Sequence, residues 1–207
     1  MTVLPKELTP GELYRSATET PDHIEDMLFE ADALERFVAP VLDFSGCVFK
    51  GVSFNACDVD RIYFMGCRFE RCDLSGFVFR DGAMRRTSLQ SCRLSGALFD
   101  HMSLRDVDFK DCLMEYAGLM NGKLQRVTFD GCRLEHGIIS GCAQRDLVLN
   151  HCDLTGIEIA GTPLAGVDLS SCKIDGMRTA IQALNGATIA LHQAKAVLSL
   201  CGISVKW

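Results

Sequence analysis

The sequence of 207 residues lacks several features that would assign it to a familiar functional class. It has no run of 18 apolar residues, which argues against a transmembrane helix. No two cysteines have the Cys-x-x-Cys spacing of a zinc site, and no glycine-rich phosphate loop joins a strand to a helix. The opening Met-Thr-Val-Leu-Pro-Lys-Glu lacks the layout of a signal peptide. We therefore expect a cytoplasmic protein that needs no metal and no cofactor.

The sequence has instead an apolar residue at every fifth position from Phe44 to Ile174. Of these 27 positions, 26 carry Phe, Leu, Ile, Val or Met, and only position 144 carries a polar residue, Gln144. Neither the helical period of about 3.6 residues nor the alternation of a strand produces such a run alone. A five-residue unit forms one short extended side and one corner, so successive sides wind around a shared interior.

A second inward position lies two residues before each apolar centre, because side chains alternate along a strand. Six cysteines recur in this position at intervals of 20 residues, so they stack on one face only if a coil has 20 residues and four sides. At four repeats per coil, the 27 repeats predict 6.75 coils and a rod about 32 Å long. The six residues are Cys72, Cys92, Cys112, Cys132, Cys152 and Cys172.

Ten of the eleven cysteines occupy the inward position, and Cys201 lies in the C-terminal tail. We interpret the ten as free thiols that fill a narrow core in a reducing cytoplasm, rather than as disulfides. Two residues after the centre, 11 of the 27 positions are glycine. This register predicts a corner with positive φ, as at the third residue of a type II turn.

The stretches Cys-Asp-Leu-Ser-Gly at 72–76, Cys-Arg-Leu-Ser-Gly at 92–96 and Cys-Asp-Leu-Thr-Gly at 152–156 resemble the units of the pentapeptide-repeat family. The resemblance covers residues 42–176. It implies an all-β fold, a right-handed quadrilateral parallel β-helix with four repeats per coil. It says little about function, since members of this family have many roles.

The chain divides into three expected parts: an N-terminal extension and cap over 1–41, the β-helix over 42–176, and a C-terminal helical cap or dimerisation segment over 177–207. The last part has a one-sided helical stripe, then Gly202 as a helix stop and a short apolar stretch that could add a strand. The stretch from His192-Gln193-Ala194 to Gly202-Ile203-Ser204-Val205 resembles the tail of the Qnr and MfpA branch of the family, which implies a tail-to-tail homodimer; a plain cap is the alternative. The candidate dimer residues are Leu191, Ala194, Val197, Leu198, Ile203 and Val205.

The net charge is −6, and the outward positions separate it into faces. One face is acidic, and the resemblance to the Qnr branch implies that such a rod imitates DNA and binds DNA gyrase or topoisomerase IV, as in quinolone resistance, without binding nucleic acid itself. The alternative is a general protein-interaction scaffold whose partner the sequence does not name. The residues of the acidic face are Asp58, Asp60, Asp81, Asp100 and Glu158.

Another, basic face carries Arg86, Asp106, Arg126 and Asp146 in one column, which predicts a ladder of ion pairs in preference to a binding strip for an acidic partner. We find no catalytic constellation. The repeat-region histidines lie on three different faces, and a solenoid filled by its own side chains offers no pocket. We therefore expect no enzyme.

Two positions depart from the repeat pattern. Gln144 is polar but faces inward, so its amide must find hydrogen-bond partners, and Pro163 has no N–H to donate to a β-ladder.

Overall fold

The computed structural model describes residues 6–7, 23–30, 38–54 and 58–205, which form a parallel β-solenoid of about seven turns with one short C-terminal helix. Each coil has 20 residues: Leu104 pairs with Met84 on one side and with Leu124 on the other. The 20-residue coil that the cysteine spacing predicts is therefore confirmed.

The elements follow one another around the coils in a fixed order. The strands are β1 Lys6–Glu7, β2 Ile24–Glu25, β3 Met27–Glu30, β4 Val38–Ser45, β5 Val48–Lys50, β6 Asp58–Met65, β7 Arg68–Glu70, β8 Val78–Arg80, β9 Ala83–Gln90, β10 Leu98–Asp100, β11 Ser103–Lys110, β12 Gly118–Met120, β13 Lys123–Asp130, β14 Ile138–Ser140, β15 Ala143–Asn150, β16 Glu158–Ala160 and β17 Arg178–Thr179. Two 3₁₀ turns, Ile181–Leu184 and Leu191–Gln193, precede the helix α1, Ala194–Leu200.

The coil has four faces, each named here by its inward centres at 20-residue steps. Face A runs from Phe44 to Leu164, face B from Phe49 to Leu169, face C from Phe54 to Ile174, and face D from Val59 to Ile159. The eight-residue strands β9, β11, β13 and β15 cover faces A and B, whereas β8, β10, β12, β14 and β16 cover face D. All the described ladders are parallel, so each coil rests on the one before it.

The corners have positive φ, as the glycine register predicts. Gly76, for example, has φ 67° in a turn closed by a hydrogen bond from the Phe77 N–H to the Leu74 carbonyl. Many corners without glycine adopt the same left-handed conformation, among them Arg86, Tyr116 and His136. The stacking of the coils therefore imposes a backbone conformation that these side chains disfavour by roughly 1–2 kcal/mol each.

The interior is filled by stacked side chains of complementary size. Phenylalanine rings stack between coils, as in the pair Phe79 and Phe99, whose ring centroids are 4.4 Å apart. On face A, the long Met102 side chain lies between the glycines at 82 and 122. A Cβ atom at Gly82 would lie 1.9 Å from the Ile62 carbonyl oxygen, so only glycine fits there.

The cysteine column lies inside the solenoid as free thiols, as the inward register predicts, for the described residues; Cys57 lies outside them. The Cys112 thiol contacts the carbonyl oxygens of Leu89 and Lys110, both at 3.4 Å, and the pattern repeats along the column. Burial raises the pKa of the Cys142 thiol. The thiols thus satisfy inward-facing carbonyl groups while filling a narrow space.

The two irregular positions meet in one place. The Gln144 amide nitrogen donates hydrogen bonds to the carbonyl oxygens of Pro163, at 3.2 Å, and Ala165, at 3.1 Å. Its oxygen accepts a bond from the Leu147 N–H at 3.4 Å. The residues after Pro163 form no strand on face A, so the glutamine amide takes the place of ladder hydrogen bonds.

Parallel pairing begins before residue 42. Ile24 and Phe29, which keep the five-residue register, are buried, and their strands β2 and β3 pair with β4 and β5. The described part of the N-terminal region therefore adds a coil to the same core. Other residues of the expected cap, 8–22 and 31–37 among them, lie outside the described ranges.

Candidate binding surfaces

The C-terminal segment presents apolar side chains to solvent. Leu191 is 92% exposed, and Leu198, Ile203 and Val205 are exposed beside it. Leu191 lies in the 3₁₀ turn before α1, whereas the sequence pattern predicted it to be part of the helical stripe. Four of the six residues predicted for a dimer contact therefore lie on the surface.

The remaining two candidate dimer residues contribute to packing. Val197 packs against the core together with Ala196 and Leu200, and Ala194 is half-buried. The strand anticipated over 203–205 is not formed, since no neighbouring strand of the described residues pairs with it. The helix thus closes the end of the solenoid with one side and exposes Leu198 on the other.

One buried polar side chain fastens this segment, and the sequence pattern did not reveal it. The Gln193 amide nitrogen donates to the carbonyl oxygens of Leu169, at 2.8 Å, and Cys172, at 2.6 Å. Its oxygen accepts from the Ala190 N–H at 2.8 Å. The amide repeats, at the end of the rod, the bonding that Gln144 shows on face A. The acceptors are more than 20 residues away in sequence, so no local motif marks the position.

Two cavities border the C-terminal helix, which corrects the expectation that the solenoid offers no pocket. An apolar recess of about 210 Å³ is lined by Ile181, Leu184, Ile189 and Val197, among others. A larger cavity of about 640 Å³ lies between α1 and the last coil. Both spaces arise where the helix lies across the open end of the last coil.

The larger cavity has cations at its rim that already have partners. Lys173 lies 2.8 Å from Asp153, and Arg178 lies 3.1 Å from Glu158. Although partial burial acts to raise it, hydrogen bonds from Lys173 and Thr155 hold the pKa of Asp153 below its usual value. These two cations are therefore engaged by carboxylates of the preceding coil.

The predicted acidic residues do not form one continuous surface. Asp60 and Asp81 are exposed and form no ion pair among the described residues, and Asp100 lies 2.9 Å from His101. Glu158 stands three coils beyond and pairs with Arg178. The side chain of Asp58, in β6, lies outside what the structure describes.

One step of the ion-pair ladder that the alternating charges predict is formed on the basic face, between Asp106 and Arg126. The Arg126 Nη2 donates to Asp106 Oδ2 at 2.9 Å, and the Arg105 Nε lies 3.7 Å from the same oxygen. The hydrogen bond from Arg126 holds the pKa of Asp106 below its usual value. Arg85, directly opposite Arg105, has no ion-pair partner within the described residues. This face keeps a small excess of positive charge.

Groupings typical of cofactor sites do not occur in the described chain. No set of three or more His, Cys, Asp or Glu residues there is placed to hold a metal ion. No described helix is long and apolar enough to cross a bilayer. The chemistry available at the surface is that of contacts: exposed apolar side chains, ion pairs and turn residues.

The coils of 20 residues, the inward cysteine, leucine and phenylalanine side chains and the left-handed corners place this protein in the class of solenoid repeat proteins. A family model for the pentapeptide repeat region matches residues 62–139, and a second, for pentapeptide repeats in nine copies, matches residues 41–77. The chain belongs to the pentapeptide-repeat family. No curated protein matches it.

Several solved structures are similar to the chain at low identity. QnrB1, a plasmid-mediated fluoroquinolone resistance protein, is 18% identical; the match covers 87% of this chain and 100% of that one, with a TM-score of 0.30. HetL, involved in heterocyst differentiation regulation in Nostoc sp. strain PCC 7120, is 16% identical over 88% and 91% of the two chains, with a TM-score of 0.29. Rfr23 from Cyanothece 51142 is 13% identical over 87% and 98%, with a TM-score of 0.27. These values are too low to transfer a partner.

Proposed function

We propose that the chain is a non-catalytic protein-binding rod that acts as a homodimer joined through its C-terminal segment. The observation that carries this proposal is the exposure of Leu191, 92%, beside other exposed apolar residues at one end of the rod. Soluble proteins seldom expose contiguous apolar surface without a partner for it. A second copy supplies a matching surface, because a two-fold interface is formed by the same patch on both subunits.

The apolar recess supports the same arrangement. It is lined by Ile181, Leu184, Ile189 and Val197, and it lies close in sequence to Leu191. We infer that Leu191 of each subunit enters the recess of the other. A reducing cytoplasm is the compartment that we propose, since the described cysteines are free thiols.

Analytical ultracentrifugation of the full chain tests the dimer. The wild-type protein should sediment with twice the mass of the chain, and Leu191→Glu should sediment as a monomer. Met65→Glu is the matched control, because Met65 is also exposed but lies near the other end of the rod. A monomeric wild-type protein, or a dimer that survives Leu191→Glu, would refute the proposed interface.

A second candidate function is binding to a type II topoisomerase in place of DNA. It is favoured by the exposed carboxylates of Asp60 and Asp81, which form no ion pair with another described residue, on a chain of net charge −6. It is disfavoured by the ion pairs that neutralise other acids, since duplex DNA carries one charge per about 1.7 Å. We rank it below a general binding rod.

A DNA gyrase supercoiling assay, with and without a fluoroquinolone, decides between the two functions. Inhibition of supercoiling or relief from the drug at low micromolar protein, lost in a double Asp60→Asn, Asp81→Asn variant, would support the DNA mimic. An unchanged reaction up to high protein concentration would eliminate it and leave the general rod.

A further inference from the structure

An apolar column runs along the outside of face D. The strand register places Val78, Leu98, Gly118 and Ile138 side by side on four successive coils. The Leu98 and Met120 side chains cover Gly118: a Cβ atom there would lie 2.9 Å from Leu98 Cδ1 and 3.9 Å from Met120 Cγ. Outward positions of a solvated sheet are ordinarily polar. This column is therefore a sheet face without a partner.

Two aromatic side chains stand at the corner next to this column. Tyr116 is 68% exposed, and its ring stacks on His136 with the ring centroids 5.4 Å apart. Both have left-handed backbone, with φ of 60° and 57°. The same turn position is glycine in neighbouring coils, as at Gly96 and Gly156. The chain thus keeps two large side chains at turns where glycine would avoid backbone strain.

Carboxylates surround the aromatic pair. Tyr116 and His136 border a shallow recess of about 390 Å³ that Glu115, Glu135 and Arg133 also line. Arg133 donates two hydrogen bonds to Glu135 Oε1, each at 3.1 Å. Glu135 Oε2 is shielded from solvent and has no hydrogen-bond partner among the described residues. A buried acceptor of this kind favours the approach of a cationic donor.

We propose that this corner surface, formed by Tyr116, His136, Leu98, Ile138 and Met120, docks a cationic, amphipathic segment of a partner protein. A lysine or arginine of the segment lies between the Tyr116 ring and Glu135, and its apolar side chains cover Leu98 and Ile138. Asp60, Asp81 and Asp100 lie on the far side of the column. They outnumber the cations among them, Arg61 and Arg80, so the three acids leave a negative excess there.

The size of the surface decides its occupant. The apolar column and the corner span roughly 20 by 13 Å, or about 260 Å², at the usual spacings within and between strands. A stable dimer buries about 800 Å² on each partner, so a second copy of this rod does not suffice there. A nucleic acid would meet carboxylates on both sides. The inference rests on the proposed function as a binding rod, but it does not require the dimer.

Two model peptides test the charge and apolar requirements. A 14-residue amphipathic peptide of leucine and lysine, and its counterpart with glutamate for lysine, are titrated against the full chain by fluorescence anisotropy. The lysine peptide should bind at least tenfold more tightly. Hydrogen exchange should show protection confined to β10, β12, β14 and the turns at Tyr116 and His136. Equal affinities, no measurable binding, or protection elsewhere would overturn the proposal.

Two variants and a matched control locate the site. Tyr116→Gly removes the ring and relieves the left-handed strain, so the variant should fold at least as well as the wild type and bind the lysine peptide about tenfold more weakly. Ile138→Thr should also weaken binding about tenfold, whereas Val148→Thr on face B should leave it unchanged. Binding unaffected by both corner variants would refute the site.

The monomeric variant Leu191→Glu separates this inference from the proposed dimer. The lysine peptide should bind it with unchanged affinity per chain, because the corner surface lies away from the tail. Peptide binding with no dimer would contradict only the C-terminal interface. A dimer without peptide binding would contradict only the corner surface.

Discussion

The Gln193 side chain should determine whether the C-terminal segment stays fastened to the last coil. We consider Gln193→Leu, which removes the amide but keeps an apolar side chain of similar length in a site that is 4% exposed. Three hydrogen bonds are lost: two to the carbonyl oxygens of Leu169 and Cys172, and one from the Ala190 N–H. The Leu169 carbonyl keeps the Cys172 N–H as a partner, whereas the Cys172 carbonyl and the Ala190 N–H lose the amide.

The magnitude follows from the number of bonds. A hydrogen bond contributes about 1 kcal/mol net, so the three together contribute about 3 kcal/mol to holding the helix on the coil. A loss of about 3 kcal/mol raises the open population of the segment by a factor of roughly 150. Since α1 supports the exposed leucines, we expect Gln193→Leu to weaken the proposed dimer as well.

Native-state hydrogen exchange over residues 181–205 measures this opening directly. The amides of α1 should lose protection in Gln193→Leu, while those of β11 and β13 keep theirs. Gln182→Leu is the matched control, because Gln182 is exposed in the preceding 3₁₀ turn. A change below about 1 kcal/mol in Gln193→Leu, or an equal change in the control, would refute the fastening role.

Three further outcomes follow from the packing and the charges. Gly82→Ala should destabilise the rod by about 3 kcal/mol or fail to fold, because its Cβ meets backbone, whereas Gly118→Ala meets only a flexible side chain and should cost under about 1 kcal/mol; urea unfolding compares them. A thiol reagent should label Cys201 at once and the buried cysteines only in denaturant; rapid labelling of several thiols would contradict the described core. The pKa of His23 is raised, chiefly by its hydrogen bond to Glu25, so its small stabilising effect should be full below about pH 6.5 and vanish as pH rises through the raised value; urea midpoints of wild type and His23→Asn at pH 5 and pH 9 check the sign.

The five-residue pattern predicted the coil because its information is repeated and local. Each apolar centre, such as Phe109, faces inward for the same reason as its neighbours 20 residues away. The same register is therefore repeated in every coil. The inward cysteines and the corner at Gly76 follow from the same period. A single departure such as Gln144 could be recognised because the rest of the pattern is so regular.

The candidate binding surfaces were predicted less completely. The acidic residues were grouped by face alone, but ion pairs such as Glu158 with Arg178 depend on the side-chain conformations of adjacent coils. The outward apolar column at Leu98 and Ile138 was missed because outward positions carry no repeating pattern. The aromatic corner at Tyr116 was missed because the period predicts the place of a corner and not the side chain that it presents.

The sequence by itself determined the period, the four-sided coil and the inward face, because burial of every fifth side chain in a narrow core is a constraint that acts within a few residues. Only the tertiary structure decided which polar groups hold the ends together and which outward groups meet. Gln193 reaches carbonyls more than 20 residues earlier, and Tyr116 stacks on His136, because each coil brings residues that are far apart in the chain to within about 5 Å of one another.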